Sequence, residues 1–410
     1  MNLEGTENVD VLVIGAGPSG SVAASILRNH GYQIKIVEKQ TFPRFVIGES
    51  LLPRCMDNLQ EAGLLAAVEK GGFQKKFGAK FVRNIDTCDF DFSAQFTKGW
   101  SWTWQVQRAD FDHLLAQETA NKGVDIEYNA EVTAVKFHQD GSSETTVKRG
   151  DGSLLNIHAK RIVDASGYGR VLPRLLDLDI PSDFPMRASF FCHLQDPRRP
   201  TDGNRITIIY FTKEVWLWVI PFSDGITSVG VTGSPEQINQ FEGALGEQYQ
   251  QWMDTVPHLK GRFSIHDQVF TPRKITGYSS AVKQLYGLGY VLTGNSTEFL
   301  DPIFSSGVTL ATESGATAAR LIARELEGEK VNWESEYSDY IKGGVNVFRT
   351  FVQCWYEGLL PKIIFSNESN AEIKQQICSV LAGYVWDTRN PFVRKHERAV
   401  RALAGVIRSC

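Results

Sequence analysis

The stretch VDVLVIGAGPSG, Val9 to Gly20, constrains the fold more than any other part of the chain. Val9 to Ile14 is a continuous apolar run, the mark of a strand buried on both faces of a parallel sheet. Three glycines follow at G-x-G-x-x-G spacing. Gly15 permits a tight turn, Gly17 lets the backbone approach a pyrophosphate, and Gly20 lets helix and strand pack closely. The next segment carries apolar Val22, Ala23, Ile26 and Leu27 at helical spacing, and a helix starting here turns free N–H groups and its positive dipole end toward that phosphate site. A second apolar strand, Ile34 to Val37, ends at Glu38, about 20 residues on, where a carboxylate accepts ribose hydroxyls. Strand, turn, helix and terminal acid together predict an α/β fold with a Rossmann-like, dinucleotide-binding domain.

Composition narrows the rest. A chain of 410 residues, 42% hydrophobic and 22% charged, suits one large domain or two to three intimately joined ones around a sizeable core. A net charge of -4 argues against nucleic acid as a partner. The six cysteines are scattered, with no C-x-x-C pair and no histidine at ligand spacing, so the expectation is reduced thiols and no metal. MNLEGTENVD lacks the basic and apolar regions of a signal peptide, and no apolar run approaches about 18 residues. A cytoplasmic protein with no membrane segment is expected.

Four later segments carry more information: RFVIGESLLP (Arg44 to Pro53), VQRADFDHLL (Val106 to Leu115), RIVDASGYGR (Arg161 to Arg170) and GYVLTGNSTEFLDPIFSSGV (Gly289 to Val308). Together with the glycine turn they resemble, in order, the flavin-contacting segments of the class A flavin monooxygenase and halogenase superfamily. The resemblance implies FAD rather than NAD, on a p-hydroxybenzoate hydroxylase-like fold. It also implies that Arg44, Ser50 and Arg108 contact the flavin dinucleotide and that Asp164 sits near its pyrophosphate or adenosine side. The superfamily usually has Gly-Asp where this chain has Gly294 and Asn295; asparagine accepts a hydrogen bond there but brings no charge.

WLWVIP, Trp216 to Pro221, matches W-x-W-x-I-P, the signature of flavin-dependent halogenases. GFQKKFGAKF, Gly71 to Phe81, resembles the segment carrying their active-site lysine and selects Lys76, with Lys75 and Lys80 as rivals. Strand alternation by itself would put Lys76, Gly78 and Lys80 on one face. In such enzymes reduced flavin and O2 give a C4a-hydroperoxide, which chloride or bromide converts to hypohalous acid. A buried lysine then hydrogen-bonds that oxidant or forms a haloamine, and burial lowers its pKa so that both roles are open near neutrality. The indoles of Trp216 and Trp218 would wall flavin from substrate. The backbone N–H groups of Ser306 and Gly307, at the start of a helix expected over 307–321, would bind halide; a serine N-cap at Ser305 or Ser306 explains the same residues.

The resemblance also bears on substrate. Free-tryptophan halogenases carry a glutamate where this chain has Phe304, which points instead to an electron-rich pyrrole or phenol. FLDPIFSSGV, CWYEG and LAGYVWDTRNPFV resemble enzymes of that branch, several of which act on rings tethered to a carrier protein. Carrier proteins are acidic, and Arg394, Arg398 and Arg401 fall at helical spacing near the end of the chain as a candidate docking face, although a solvated terminal helix is the commoner reason for such a cationic face. Phe304, Val308, Phe351 and Trp355 are the candidate substrate-pocket residues. With no second glycine motif for NAD(P)H, reduced flavin is expected from a separate reductase.

No linker or repeat divides the chain. The flavin domain is expected from 1–70, 100–185 and 280–330, an inserted mixed or antiparallel substrate sheet from 71–99 and 186–279, and a helical lid from 331–410. A single-component flavin hydroxylase, a prenyl-chain reductase and a non-catalytic flavoprotein are the rival readings.

Overall fold

The computed structural model describes residues 3–200, 203–366 and 370–407. The apolar run at the start becomes the inner end of the strand Leu3–Ile14, flanked in parallel by Ile34–Glu38 and Leu154–Asp164. Asp125–Tyr128 and Tyr290–Leu292 extend the parallel order outward on either side. Val11, Leu12 and Val13 are fully buried, as a strand covered on both faces requires. Two antiparallel strands, Ser143–Arg149 and Ala130–Phe137, continue from the side of Leu154–Asp164.

The helix Pro18–Asn29 leaves the glycine turn and packs on a second helix, Ser306–Leu326, which runs one turn further than the sequence spacing predicts. The approach is close: a Cβ on Gly315 would lie 2.6 Å from the Ser19 carbonyl oxygen.

A second sheet has the order Arg273–Thr276, Ala188–Gln195, Ile226–Gly233, Trp216–Pro221, Arg205–Tyr210, Gly78–Arg83, Asp86–Asp91. Its pairs are antiparallel except Arg205–Tyr210 with Gly78–Arg83, so the inserted sheet is mixed. Period-two alternation divides WLWVIP between two cores. Leu217 and Val219 pack with Phe190, Val229 and Trp252 behind the sheet, while Trp216, Trp218 and Ile220 face the main core and the first sheet.

The expected continuous strand through Lys76 and Lys80 is broken at Phe77, whose N–H donates to Asn204 O at 2.9 Å. Gln74–Lys76 pairs instead with Thr103–Gln105, from the segment assigned on sequence to the flavin domain. Lys76 and Lys80 therefore do not share a face as alternation predicts: Lys76 is buried, Lys80 half-buried and Lys75 exposed. The C-terminal helices Asp339–Tyr356, Leu359–Ile364, Ala371–Leu381 and His396–Val406 form a layer that buries Phe348, Phe351 and Trp355. Among the described residues no helix is long and apolar enough to cross a membrane.

Candidate active site

A cavity of about 530 Å³ is lined by residues of both sheets. Its walls include Gly15, Gly17, Glu38, Lys39, Gln40 and Arg44 from around the first sheet and Trp216, Trp218 and Ile220 from the second. Gly15 and Gly20 stand where no side chain fits. Gly15 sits at φ +100°, and a Cβ there would meet Ala165 O at 2.6 Å; one on Gly20 would overlap Gly15 O at 2.0 Å. Only glycine fits either place.

Glu38 accepts the N–H of Ala16 at 3.0 Å and of Gln40 at 2.9 Å, which fixes its carboxylate at the cavity wall with lone pairs to spare. Arg44 and Arg108 share Asp112: Arg44 Nη1 donates to Oδ2 at 3.0 Å and Arg108 Nε to Oδ1 at 2.7 Å. Both arginines line the cavity, held by one buried carboxylate that keeps their charge affordable in a low-dielectric wall. Glu49 and Ser50 also line it; Glu49 Oε1 meets His193 Nε2 at 2.5 Å, tying the first sheet's loop to the second sheet. Glu49 Oε2 and Ser50 Oγ have no hydrogen-bond partner among the described residues. A cavity lined by a glycine turn, the Glu38 carboxylate and two arginines fits FAD.

Asp164 stands one layer back. Its Oδ1 accepts the N–H of Ser166 at 2.9 Å and its Oδ2 that of Leu172 at 2.7 Å, so it shapes the loop Ala165–Gly169, which lines the cavity in its place. Burial pushes its carboxyl above the usual range. Gly294, at φ +58°, and Asn295 do line the cavity, and the Asn295 carbonyl accepts Arg170 Nη1 at 3.2 Å.

The indoles of Trp216 and Trp218 stand 5.9 Å apart at 47°. Gly230 lies opposite Trp218 in register and makes room for it, since a Cβ there would sit 2.1 Å from the indole. Trp218 Nε1 donates to Ser228 Oγ at 3.1 Å. Trp216 Nε1 donates to Tyr356 Oη at 2.9 Å, and Tyr356 donates in turn to Asp301 Oδ2 at 2.9 Å. Asp301 also accepts the Ile303 N–H at 3.0 Å, in the turn leading to the expected halide site. Burial raises its pKa to about 6. Sequence reasoning named Tyr356 only as a lid aromatic and missed Asp301, although each lies in a quoted motif, because the bonds join residues 140 and 55 positions apart.

At the helix start, Ser305 is left-handed at φ 56° and makes no side-chain cap. The first N–H groups of a helix have no intrahelical acceptor, so those of Ser306 and Gly307 remain available to an anion. Ser305, Gly307 and Val308 line the cavity.

Lys76 is 1% exposed, and its Nζ donates to Leu51 O at 2.7 Å. Burial pushes its pKa down to about 7, opposed by the neighbouring Cys55 thiol. Nζ lies 5.4 Å from the centre of the Phe92 ring. Lys76 is absent from the cavity wall and is reached through Leu51, the neighbour of wall-forming Ser50. Of the four candidate pocket residues only Val308 faces the cavity. Phe304 packs edge-to-face on Phe351 and on Trp355, each with centroids 6.1 Å apart, and Trp355 packs on Phe81, so this trio fills core next to the site.

The candidate docking face is smaller than its spacing suggests. Arg401 is bound to Glu357, at 2.7 and 3.1 Å, and to Glu397 at 3.2 Å, leaving Arg394 and Arg398 exposed.

Residues 8–328 match the family described as FAD binding domain. The 1H-pyrrole-2-carbonyl-[peptidyl-carrier protein] brominase of Pseudoalteromonas luteoviolacea is 27% identical over 390 residues, 93% of each chain. A crystal structure described as a flavoprotein/dehydrogenase from Cytophaga hutchinsonii is 52% identical, covers 98% of both chains and superposes with a TM-score of 0.96. The flavin-dependent brominase Bmp2 is 25% identical with a TM-score of 0.75, covering 98% of this chain and 95% of its own.

Proposed function

This chain belongs to the FAD-binding domain family, and we propose that it is a flavin-dependent halogenase like the brominases it resembles, in which Lys76 presents hypohalous acid to an electron-rich aromatic ring, a pyrrolyl or phenolic acyl group on a carrier protein. FAD, reduced by a separate reductase and bound here, would supply the two electrons that activate O2, the oxidant that takes chloride or bromide to that acid with water as the other product. Glu38 holds the ribose end of the dinucleotide, and Arg44 and Arg108 offset its pyrophosphate charge. Gly15, Gly17 and Gly20 give the turn its close approach, and Ser50, Gly294 and Asn295 contact the rest of the cofactor. The N–H groups of Ser306 and Gly307 hold the halide, and the walls of Trp216 and Trp218 keep the ring out of the flavin cavity.

The observation that carries the reading is the lysine. A fully buried amine with a pKa brought down to about 7 is balanced between two forms. As an ammonium it donates a hydrogen bond to the oxidant; as an amine it takes the halogen. The carrier is supported by the named substrate of the Pseudoalteromonas luteoviolacea relative. The ion pairs of Arg401 favour the alternative of a free phenol or pyrrole, because they remove one cation from the docking face.

Mass spectrometry of turnovers with photoreduced FAD, O2 and bromide or chloride tests this, with pyrrolyl and hydroxybenzoyl groups offered free and on a carrier. The expected result is a halogen-shifted product with the wild type and none with Lys76→Met. A hydroxylated or dehydrogenated product without halogen would replace the reading by that of an aromatic hydroxylase or a dehydrogenase.

A further inference from the structure

The turn that receives the Lys76 amine also carries a thiol. Lys76 Nζ donates to Leu51 O at 2.7 Å, and a few residues on Cys55 opens the helix Cys55–Glu61, its own N–H donating to Leu52 O at 3.1 Å. Side chains on a helix tilt toward its N-terminus, so the thiol leans back over the turn that holds the amine. From the other side, the strand Thr103–Gln105 sets Thr103 opposite Lys76 in register, and Thr103 shares a hydrogen bond with the Cys55 thiol. Amine and thiol are close enough that each acts on the charge of the other.

Neither group is open to solvent: Lys76 is 1% exposed and Cys55 0%. Cys55 is a free cysteine, and burial pushes its thiol up to about 12. Near neutrality it is therefore almost wholly protonated, and a thiol is a much poorer nucleophile than its thiolate. This environment protects it from oxidants in solution. It does not protect it from an electrophilic halogen held at Lys76. An electron-rich ring bound at the amine competes with a slow, protonated thiol and takes the halogen first. With no ring bound, the thiol is the oxidisable group at hand.

We propose that Cys55 is a site of self-modification, at which the thiol takes the halogen presented by Lys76 when no ring is bound and so halts the enzyme. The halogen leaves nitrogen or oxygen and forms an S–X bond, and the thiol proton passes to the amine or hydroxide left behind. Water then displaces halide and gives the sulfenic acid. In sum, thiol and hypohalous acid give sulfenic acid, halide and a proton; sulfur loses the two electrons that the halogen gains. An added oxygen overpacks a site with no room for it and disturbs the turn that holds the amine. A small thiol reverses the change, as it does for other sulfenic acids. The proposal rests on Lys76 as the residue that presents the oxidant.

The test cycles the FAD-loaded enzyme with photoreduced flavin, O2 and bromide, with catalase present to remove peroxide, and then alkylates the unfolded chain and maps its peptides by mass. Cys55 should lose its free thiol when bromide is present and ring is absent. It should keep the thiol without bromide, in Lys76→Met, or beside the pyrrolyl or hydroxybenzoyl ring that the wild type halogenates. Half-buried Cys88 reports oxidant in solution and should stay free throughout. After a ring-free period that silences the wild type, Cys55→Ala should still halogenate an added ring, and a small thiol should revive the wild type alone. A silenced wild type with its Cys55 thiol intact, loss at Cys88 equal to that at Cys55, or equal silencing of Cys55→Ala overturns the site. A wild type that halogenates no ring fails the lysine reading and the site with it; halogenated ring together with an intact Cys55 in the ring-free arm fails the site alone.

Discussion

Burying an ammonium at Lys76 costs the fold stability that a purely structural residue would not be kept to spend. A pKa lowered from 10.5 to about 7 means that the folded chain binds the proton more weakly than the unfolded one. The stability associated with the neutral amine is fully present above the unfolded pKa and is lost progressively as pH falls toward 7. Lys76→Met removes that penalty at pH 7 and gives up one hydrogen bond to Leu51 O, for a net gain of about 2 kcal/mol. Denaturant unfolding at pH 7 should show the variant to be more stable while its halogenation is abolished; a less stable variant would mean that the amine is satisfied where it lies. In the wild type, the pH profile of product formed per flavin reoxidised should turn near pH 7. A limb that rises with pH assigns the halogen to the neutral amine, and one that falls assigns a hydrogen-bonding ammonium.

The strand Trp216–Pro221 depends on its neighbours for the position of its rings. Register sets Trp218 over Gly230, where any side chain would collide with the indole. Trp216 depends on the helix Asp339–Tyr356, whose last residue passes a hydrogen bond from the indole to Asp301. Tyr356→Phe should cost about 1–3 kcal/mol, because it leaves a buried indole N–H and a buried carboxyl each short of a partner. Its tryptophan near-ultraviolet dichroism should weaken as the ring is freed, with a larger share of oxidised substrate lacking halogen. Arg187, whose guanidinium lies 4.0 Å from the Tyr356 ring centre, and Tyr278 are the other titratable groups acting on Asp301 and Tyr356. The Asp301 pKa of about 6 is raised above its ordinary value, so its contribution to stability is present below about pH 4 and lost as pH rises through 6.

Across the whole molecule, the cavity is walled by residues of two separate sheets, and Glu49 with His193 and Gln105 with Pro221 tie the second sheet to the loop carrying Ser50 and to the ribbon of Gln74–Lys76 and Thr103–Gln105. A ligand lying between the sheets contacts both, so FAD should stabilise the fold by about 4 kcal/mol at a thousandfold excess over Kd and raise the unfolding temperature with concentration. A thermal titration checks this, and a midpoint indifferent to FAD would contradict the cradle. The outer face yields a separate expectation. Charge reversal at Arg394 and Arg398 should lower turnover of a carrier-tethered ring about tenfold while sparing the free ring, in keeping with rim charges that steer association; equal effects on both would remove the carrier from this face.

Local chemistry alone determined the glycine turn, Glu38 at the end of its strand and the alternation of WLWVIP, whereas the choice of Lys76 among three lysines came from the resemblance of its segment. Those first three are written within a few residues, where backbone sterics and strand period act directly. Tertiary structure decided which lysine of the three is buried, because the break at Phe77 depends on Asn204, far along the chain. It turned Asp164 into a loop former and packed Phe304, Phe351 and Trp355 against one another, since nothing in sequence tells a ring that lines a cavity from one that fills a core. It also bound Arg401 to Glu357. Side-chain partners distant in sequence are chosen by the register of strands and the docking of helices, and those exist only once the chain has folded.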